Sequence, residues 1–475
     1  MILSFIYVAL AVIVLFGLCI FIHELGHFAA AKALGMVIDV FSIGFGPSIW
    51  KKKIGGVLFK IGIFPIGGYV ALPQMDPTGG GDRPPGEAAP KNGEKTAEPA
   101  RVLPPVKPWK RIIVAVAGAS GNMLLAYIIA WIVFVAGKPS APAERSAVIG
   151  YVETNSTAYA KGIRTGDEIL SINGRAVNNW QDVIQENARF EEVNLLLKTA
   201  QGDNSISLPT EKNELLGFRM IPGIREIMLC KVLSVEPDSS AAAAGIQSGD
   251  LIRKIDDVAV LSIDHLIALI SERVGQSMAV AMERSGNLLT VKVTPRFDPA
   301  LSRARIGIRF DPYALDSDRI VHINPGAQIK SHSLVIFRVL RSLVTPREAK
   351  ATSQALGGPV MIIYMLQDMV RKGIIIALWF TCLLNVNLAI LNLLPLPVLD
   401  GGHVVFALLE IITRRPVPPK VALVLDQVFF GLLIVAIILL TGRDLKRLNQ
   451  IRIMSKPPAE QQAATNAPAE TENNE

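Results

Sequence analysis

Polar and apolar positions divide this chain into long apolar blocks, a central region of short alternations and polar margins. Four blocks, roughly 1–30, 111–137, 374–394 and 421–441, are each long enough for a helix to cross a bilayer, which takes about 20 residues. Between the first two, residues 54–71 break into short apolar runs separated by glycine: Val57-Leu58-Phe59, Ile61, Ile63-Phe64 and Ile66-Gly67-Gly68-Tyr69-Val70. That pattern predicts short strands joined by turns. Its apolar density predicts a sheet dipping into the membrane, where non-helical backbone survives only if paired or buried in protein; an ordinary cytoplasmic hairpin is the alternative. Residues 76–105 are rich in Pro, Gly, Ala and charge and bury too little to fold, so a flexible loop is expected. Residues 334–344 mix apolar residues with Arg338 and Arg341, which fits a helix lying at the membrane surface.

The central region repeats itself. Gly162-Ile163-Arg164-Thr165-Gly166-Asp167-Glu168-Ile169 matches Gly245-Ile246-Gln247-Ser248-Gly249-Asp250-Leu251-Ile252, and Ile172, Asn173 and Val177 match Ile255, Asp256 and Val260 at the same offset. A constant offset marks a duplication. In each copy a Gly-Asp turn, an apolar strand, a second turn and a helical stretch (181–189; 264–273) follow in order. The pattern resembles PDZ domains, small partly open β-barrels whose groove accepts a peptide by strand addition. Each copy acts either as a peptide receptor or as a spacer or steric filter.

Composition agrees with a membrane protein. The 475 residues are 50% hydrophobic and 19% charged, below the roughly 25% charge of soluble domains, and mean hydropathy is +0.39. The first block is too long, and lacks the basic start, for a cleaved signal peptide. The net charge of +7 is massed beside spans, at Lys51-Lys52-Lys53, Lys107, Lys110 and Arg111. This reads as topology rather than nucleic-acid binding. It puts 31–110 in the cytoplasm, the repeat outside and 395–420 inside. The basic tail (Arg443, Lys446, Arg447, Arg452, Lys456) runs against its outside placement. Cys19, Cys230 and Cys382 make neither a disulfide framework nor a Cys-type zinc site.

The first block ends in His23-Glu24-Leu25-Gly26-His27. Residues i and i+4 share a helix face, so His23 and His27 can reach one metal ion, with Glu24 placed as general base for water there. No charged residue precedes Glu24, which places the site within a membrane. A catalytic zinc takes about three protein ligands. The third is expected in Asn392-Leu393-Leu394-Pro395-Leu396-Pro397-Val398-Leu399-Asp400-Gly401-Gly402-His403, where Asp400 is an ionisable residue at the end of a span. An N-cap for 401–412 is its alternative role. Pro395 and Pro397 must break the helix, and the freed backbone can hold an unwound substrate strand. Asn387 and Asn392 either bind that strand or join helices; Asn122, among the small residues Ala117-Gly118-Ala119-Ser120-Gly121, needs a partner in lipid, and its face is expected to pack against the first span. His403 is expected to support or pack; His265, His322 and His332 belong to surface or core.

Together these motifs resemble the bacterial site-2 proteases, intramembrane zinc metalloproteases, and in particular their tandem-PDZ branch, the regulator of sigma-E protease type. The carriers are His23-Glu24-x-x-His27, Phe45-Gly46-Pro47, Gly67-Gly68-Tyr69-Val70, the two PDZ-like copies and Asn392-x-x-Pro395-x-Pro397-x-Leu399-Asp400-Gly401, in family order. The resemblance implies one catalytic zinc on His23, His27 and Asp400, Glu24 as base, and substrate contact near Asn387, Asn392, Pro395 and Pro397 with strand pairing near 54–71. It implies substrates that are membrane-spanning segments of anti-sigma-factor type proteins or signal-peptide remnants, and a PDZ pair that excludes untrimmed substrates. Ala117-Gly118-Ala119 departs from the family's usual Ala-Gly-Pro, and the 76–105 loop is an insertion of unassigned role.

The expected architecture is a multi-pass α-helical membrane protein of about four transmembrane helices, with a membrane-associated β-sheet and two tandem PDZ-like domains. Its parts are 1–75 (first span and sheet), 76–106 (cytoplasmic loop), 107–137 (second span), 141–222 and 223–312 (PDZ-like), 313–373 (linker with the interfacial helix), 374–441 (third and fourth spans) and 442–475 (polar tail). The expected home is the bacterial inner membrane, with the PDZ-like pair periplasmic and the active site near the cytoplasm. The expected partners are lipid, membrane-segment substrates and peptide ligands of the PDZ-like domains, with no nucleic acid. A membrane-anchored PDZ scaffold with a non-catalytic metal site is the rival reading.

Overall fold

The computed structural model describes residues 2–75, 103–187, 190–212, 219–299, 302–312, 314–346 and 356–454, with 349, 352 and 353. The loop expected over 76–106, except 103–106, and the tail from 455 lie outside the described residues. The chain divides into two compact units. One holds 1–138, 322–341 and 356–445; the other holds 139–321, 342–355 and 446–475.

In the first unit, α1 (Ile2–Ala33), α2 (Pro108–Ala136), α9 (Ile374–Asn392) and α11 (Pro419–Met454) are the four helices among the described residues long and apolar enough to cross a membrane. Small residues let α1 and α2 approach closely: a Cβ on Gly26 would fall 2.3 Å from the Ala117 carbonyl oxygen. Between α2 and α9 the packing is made by Ala126, Ile129, Ala130 and Val133 with Cys382 and Val386. The segment at 360–370 forms α8 (Pro359–Lys372), which buries Leu366 and Val370 against Val8, Val12 and Leu15 of α1 and Phe380 and Leu384 of α9.

The strands expected in 54–71 are part of a larger sheet. Two long strands, β1 (Val40–Ile54) and β2 (Val57–Ala71), fold back so that one residue meets two partners: Phe41 lies opposite both Val70 and Phe59, and Ile61 opposite both Ile43 and Trp50. The runs 48–54 and 67–71 become the sheet's two edges. Phe41 and Phe59 pack around Phe28 of α1, which fixes the sheet beside the helix end that carries the histidines.

The helix expected over 334–344 extends over α7 (Pro325–Val344). Gln328, His332 and Ile336 are buried, while Leu334, Val335 and Phe337 are exposed. Ile329 packs with the α2–α9 contact, and His332 lies edge-on to Trp379, whose ring also carries the Lys138 ammonium 5.3 Å from its centre. Burial and that ammonium push the His332 imidazole down to about 4.

The second unit contains the duplication as two barrels with the same strand order. In the first, Arg175–Ala176, Glu168–Ile172, Glu192–Thr199 and Gly202–Pro209 are neighbours in that sequence; in the second, Val258–Ala259, Leu251–Ile255, Met278–Arg284 and Asn287–Val293 repeat it. Ser156 and Ser239 cap corresponding short helices, α3 (Thr157–Ala160) and α5 (Ser240–Ala243). Each barrel has its own core, about Ile149, Ile169, Leu195 and Leu197 in one and Ile252, Ile255, Leu266 and Met282 in the other. The helices over each groove are α4 (Trp180–Asn187) and α6 (Ile263–Ser271). Ser262, the fully buried N-cap of α6, also donates to the Gly150 carbonyl of the first barrel at 3.1 Å.

Candidate metal centre

Three side chains from two distant segments meet at one point. His23 and His27 project from one face of α1, as the i, i+4 spacing requires. Asp400 is the first residue of α10 (Asp400–Thr413). Its Oδ2 stands 3.2 Å from His23 Nε2 and 3.3 Å from His27 Nε2, and the two Nε2 atoms are 3.2 Å apart. Asp400 does not cap its helix: Leu399 is the N-cap residue, with no side-chain hydrogen bond.

The chain path around Asp400 follows from sequence. Pro395 and Pro397 cannot donate to a helix, so α9 stops at Asn392 and a tight turn follows. The new helix starts pressed against that turn. A Cβ on Gly401 would fall 2.1 Å from the Leu394 carbonyl oxygen, and one on Gly402 2.4 Å from that of Leu396. Only Gly-Gly after Asp400 lets the carboxylate reach back to α1.

The three donors suit a tetrahedral cation. Donors held at about 2.0 Å from one zinc ion stand about 3.3 Å from each other, which is the spacing found. Asp400 Oδ2 is buried and receives no hydrogen bond, and an orphaned carboxylate oxygen facing two imidazole nitrogens could hold a cation. His27 Nδ1 donates to the Val114 carbonyl at 2.8 Å, leaving its Nε2 lone pair for the ion. His23 has Asn122 at its Nδ1, 3.3 Å away. His23, His27 and Asp400 form the only such cluster among the described residues.

Glu24 is 8% exposed and lies against the sheet edge: a Cβ on Gly68 would come within 2.9 Å of its Cγ. Asn392 Nδ2 approaches His23 Nε2 at 3.3 Å, so this asparagine borders the site. Asn387 is five positions earlier on α9, about 140° round the helix from Asn392, and its Oδ1 is buried with no hydrogen-bond partner. Pro395 is exposed and Pro397 half-buried in the turn after α9. Val114 and Gly118, absent from the expected set, both touch His27. A Cβ on Gly118 would lie 2.3 Å from His27 Nε2, which explains a glycine in the small-residue run of α2.

The sequence profile of Peptidase family M50 matches residues 11–436. The chain belongs to peptidase family M50. As a member it is a metalloprotease. It is 28% identical over 451 residues to the regulator of sigma-E protease RseP of Escherichia coli K12, covering 88% of this chain and 94% of that protein. It is 27% identical over 482 residues to the regulator of sigma E protease of Haemophilus influenzae, covering 94% and 100%. A Vibrio cholerae protein with the provisional name zinc metalloprotease is 28% identical over 449 residues, covering 87% and 92%. Among solved structures, the PDZ domain of an SdrC-like protein from Listeria monocytogenes is 27% identical, with a TM-score of 0.16, covering 17% of this chain and 84% of that one.

Proposed function

We propose that this M50 peptidase hydrolyses peptide bonds inside membrane-spanning segments, with His23, His27 and Asp400 holding one zinc ion and Glu24 as general base. The observation that carries the reading is the convergence of three ligand atoms at 3.2–3.3 Å on helices apolar enough to cross a bilayer. When bound, zinc supplies Lewis-acid polarisation of the scissile carbonyl. Glu24 removes a proton from the attacking water and returns it to the leaving nitrogen. Asn392, on the same side as His23, holds the substrate backbone, and Pro395 and Pro397 keep the local chain unwound beside it. The 67–71 edge pairs with 40–43 on one side only, so its free side offers hydrogen bonds to an unwound substrate strand. Such pairing offsets the cost of unwinding in lipid, where each unsatisfied backbone group costs several kcal/mol.

The substrates proposed are single-span proteins of the anti-sigma-factor type and signal-peptide remnants, in the inner membrane. Loop charge supports a periplasmic PDZ pair and an active site near the cytoplasm. A difference between the two grooves supports different work for each. The second, between α6 and the Arg303–Phe310 strands, encloses about 280 Å³, lined by Ile267, Ile270, Ile306 and Phe310. The first, beneath α4, has about 20 Å³, and Pro222 stands where the second copy has Ile306 with its backbone N–H. The second copy is the peptide receptor and the first a spacer.

The test is the Glu24→Gln variant in membranes containing a single-span substrate. Zinc retained at one per chain with cleavage abolished supports the reading. Full turnover by this variant overturns it, and wild-type protein without stoichiometric zinc favours the scaffold reading.

A further inference from the structure

His23 and His27 come from one motif, yet their outer nitrogens have unlike partners. His27 Nδ1 faces a carbonyl, which can only accept. His27 therefore keeps its proton on Nδ1 and its lone pair on Nε2. His23 Nδ1 faces the side-chain amide of Asn122, which can accept at one end and donate at the other. Asn122 is fully buried on α2. Its nearest atom to the ring is Nδ2, at 3.3 Å, while its Oδ1 is buried and receives no hydrogen bond.

The amide's direction decides what His23 can do. With Nδ2 donating to Nδ1, a neutral imidazole carries its single proton on Nε2, the nitrogen that faces Asp400 and His27, and has no lone pair there for a cation. A half-turn about Cβ–Cγ exchanges the two ends and brings the orphaned Oδ1 to Nδ1. The ring then donates Nδ1–H to Oδ1, and the Nε2 lone pair points into the site.

We propose that Asn122 is a positioning residue that selects the tautomer of His23, its Oδ1 accepting from Nδ1–H so that the Nε2 lone pair faces the metal centre. Asn122 touches neither ion nor substrate. The imidazole keeps one proton, held on Nδ1. The inference rests on His23, His27 and Asp400 being the metal centre.

Two variants of the full chain in detergent test it. Leucine at 122 fills the same space in an apolar setting but cannot accept a hydrogen bond. Aspartate can only accept, so it holds His23 in the ligating tautomer. Zinc affinity is measured by competition with a chromophoric chelator, and ligand geometry by the visible absorption of the cobalt(II)-loaded protein. Asn122→Leu should weaken zinc about 10–100-fold, the usual cost of losing the hydrogen-bond partner of a ligating histidine, and should alter the cobalt spectrum. Asn122→Asp should bind zinc at least as tightly as wild type. A packing role predicts the reverse order, since leucine suits an apolar helix contact and a buried carboxylate does not. If Asn122→Asp fails to fold, Asn122→Leu decides alone. Wild-type zinc affinity and cobalt spectrum in Asn122→Leu overturn the proposal and leave the metal centre standing. Failure of wild-type protein to take up zinc overturns both.

Discussion

Asp444 of the last long helix caps α8 by accepting hydrogen bonds from the backbone N–H of Gly358, at 3.0 Å, and of Met361, at 2.9 Å. The carboxylate is fully buried, and its negative charge sits at the positive end of the helix dipole. Gly358 has no room for a side chain, since a Cβ would fall 2.8 Å from Asp444 Oδ2. Asp444→Ala should therefore loosen α8 by about 1–2 kcal/mol, the cost of a lost cap. Amide hydrogen exchange read by mass spectrometry should rise over 358–372 and stay unchanged over the PDZ-like barrels.

Gly118→Ala should empty the metal centre without unfolding the chain. The added methyl falls on His27 Nε2, 2.3 Å away, and the ring must swing off the site. Gly17→Ala is the control: its Cβ meets nothing within 4 Å, and it should gain roughly 0.5–1 kcal/mol from helix preference. Zinc content and thermal unfolding of the two purified variants separate the effects.

Acid should weaken the second barrel through Asp250. This carboxylate is 1% exposed; the Arg284 fork at 2.6 and 2.7 Å and the Gln247 N–H at 2.8 Å hold it below the usual carboxylate range. A depressed folded-state value stabilises above the unfolded value of about 3.9, and that contribution is lost as pH falls through the folded one. Arg284→Ala should thus speed exchange of the Leu251–Ile255 amides at pH 7, with the gap from wild type closing as pH falls below the ordinary carboxylate range. A gap that does not narrow as the carboxylates titrate would exclude this linkage.

The open groove predicts a difference between the two barrels. Ile267→Glu, placed on the wall of the second groove, should abolish binding of an apolar-ended peptide by the full chain. The matching change in the first copy, Ile184→Glu, should leave peptide affinity unchanged. Fluorescence anisotropy of labelled peptide reads both.

The proposed ligands were legible in sequence for different reasons. His23 and His27 follow from helix periodicity alone, and Asp400 stood out as an ionisable residue after two prolines at a span's end. What surrounds them was not legible. Val114 acts through its backbone carbonyl, which any residue possesses, so no side chain marks it. Gly118 read as a packing residue because small residues serve close helix contacts in general, whereas here the neighbour is His27 itself. The sheet was seen only in its second half: β1 carries Lys51, Lys52 and Lys53, which obscured its strand character, and its role depends on pairing twice with β2. The start of α7 was not legible because the apolar count over 334–344 begins after Gln328, and the buried stripe is partly polar.

With His23, His27 and Asp400 as the proposed metal centre, the split between α1 and α10 also governs when this enzyme can first act. About 370 residues of chain separate His27 from Asp400. At about 5–20 residues per second, a ribosome needs roughly 20–75 s to cover that distance. Through that interval the nascent chain already displays His23, Glu24 and His27 in the bilayer, yet lacks the carboxylate that completes the centre. The order of the gene makes the newborn protein its own zymogen, matured by finishing translation instead of by cutting.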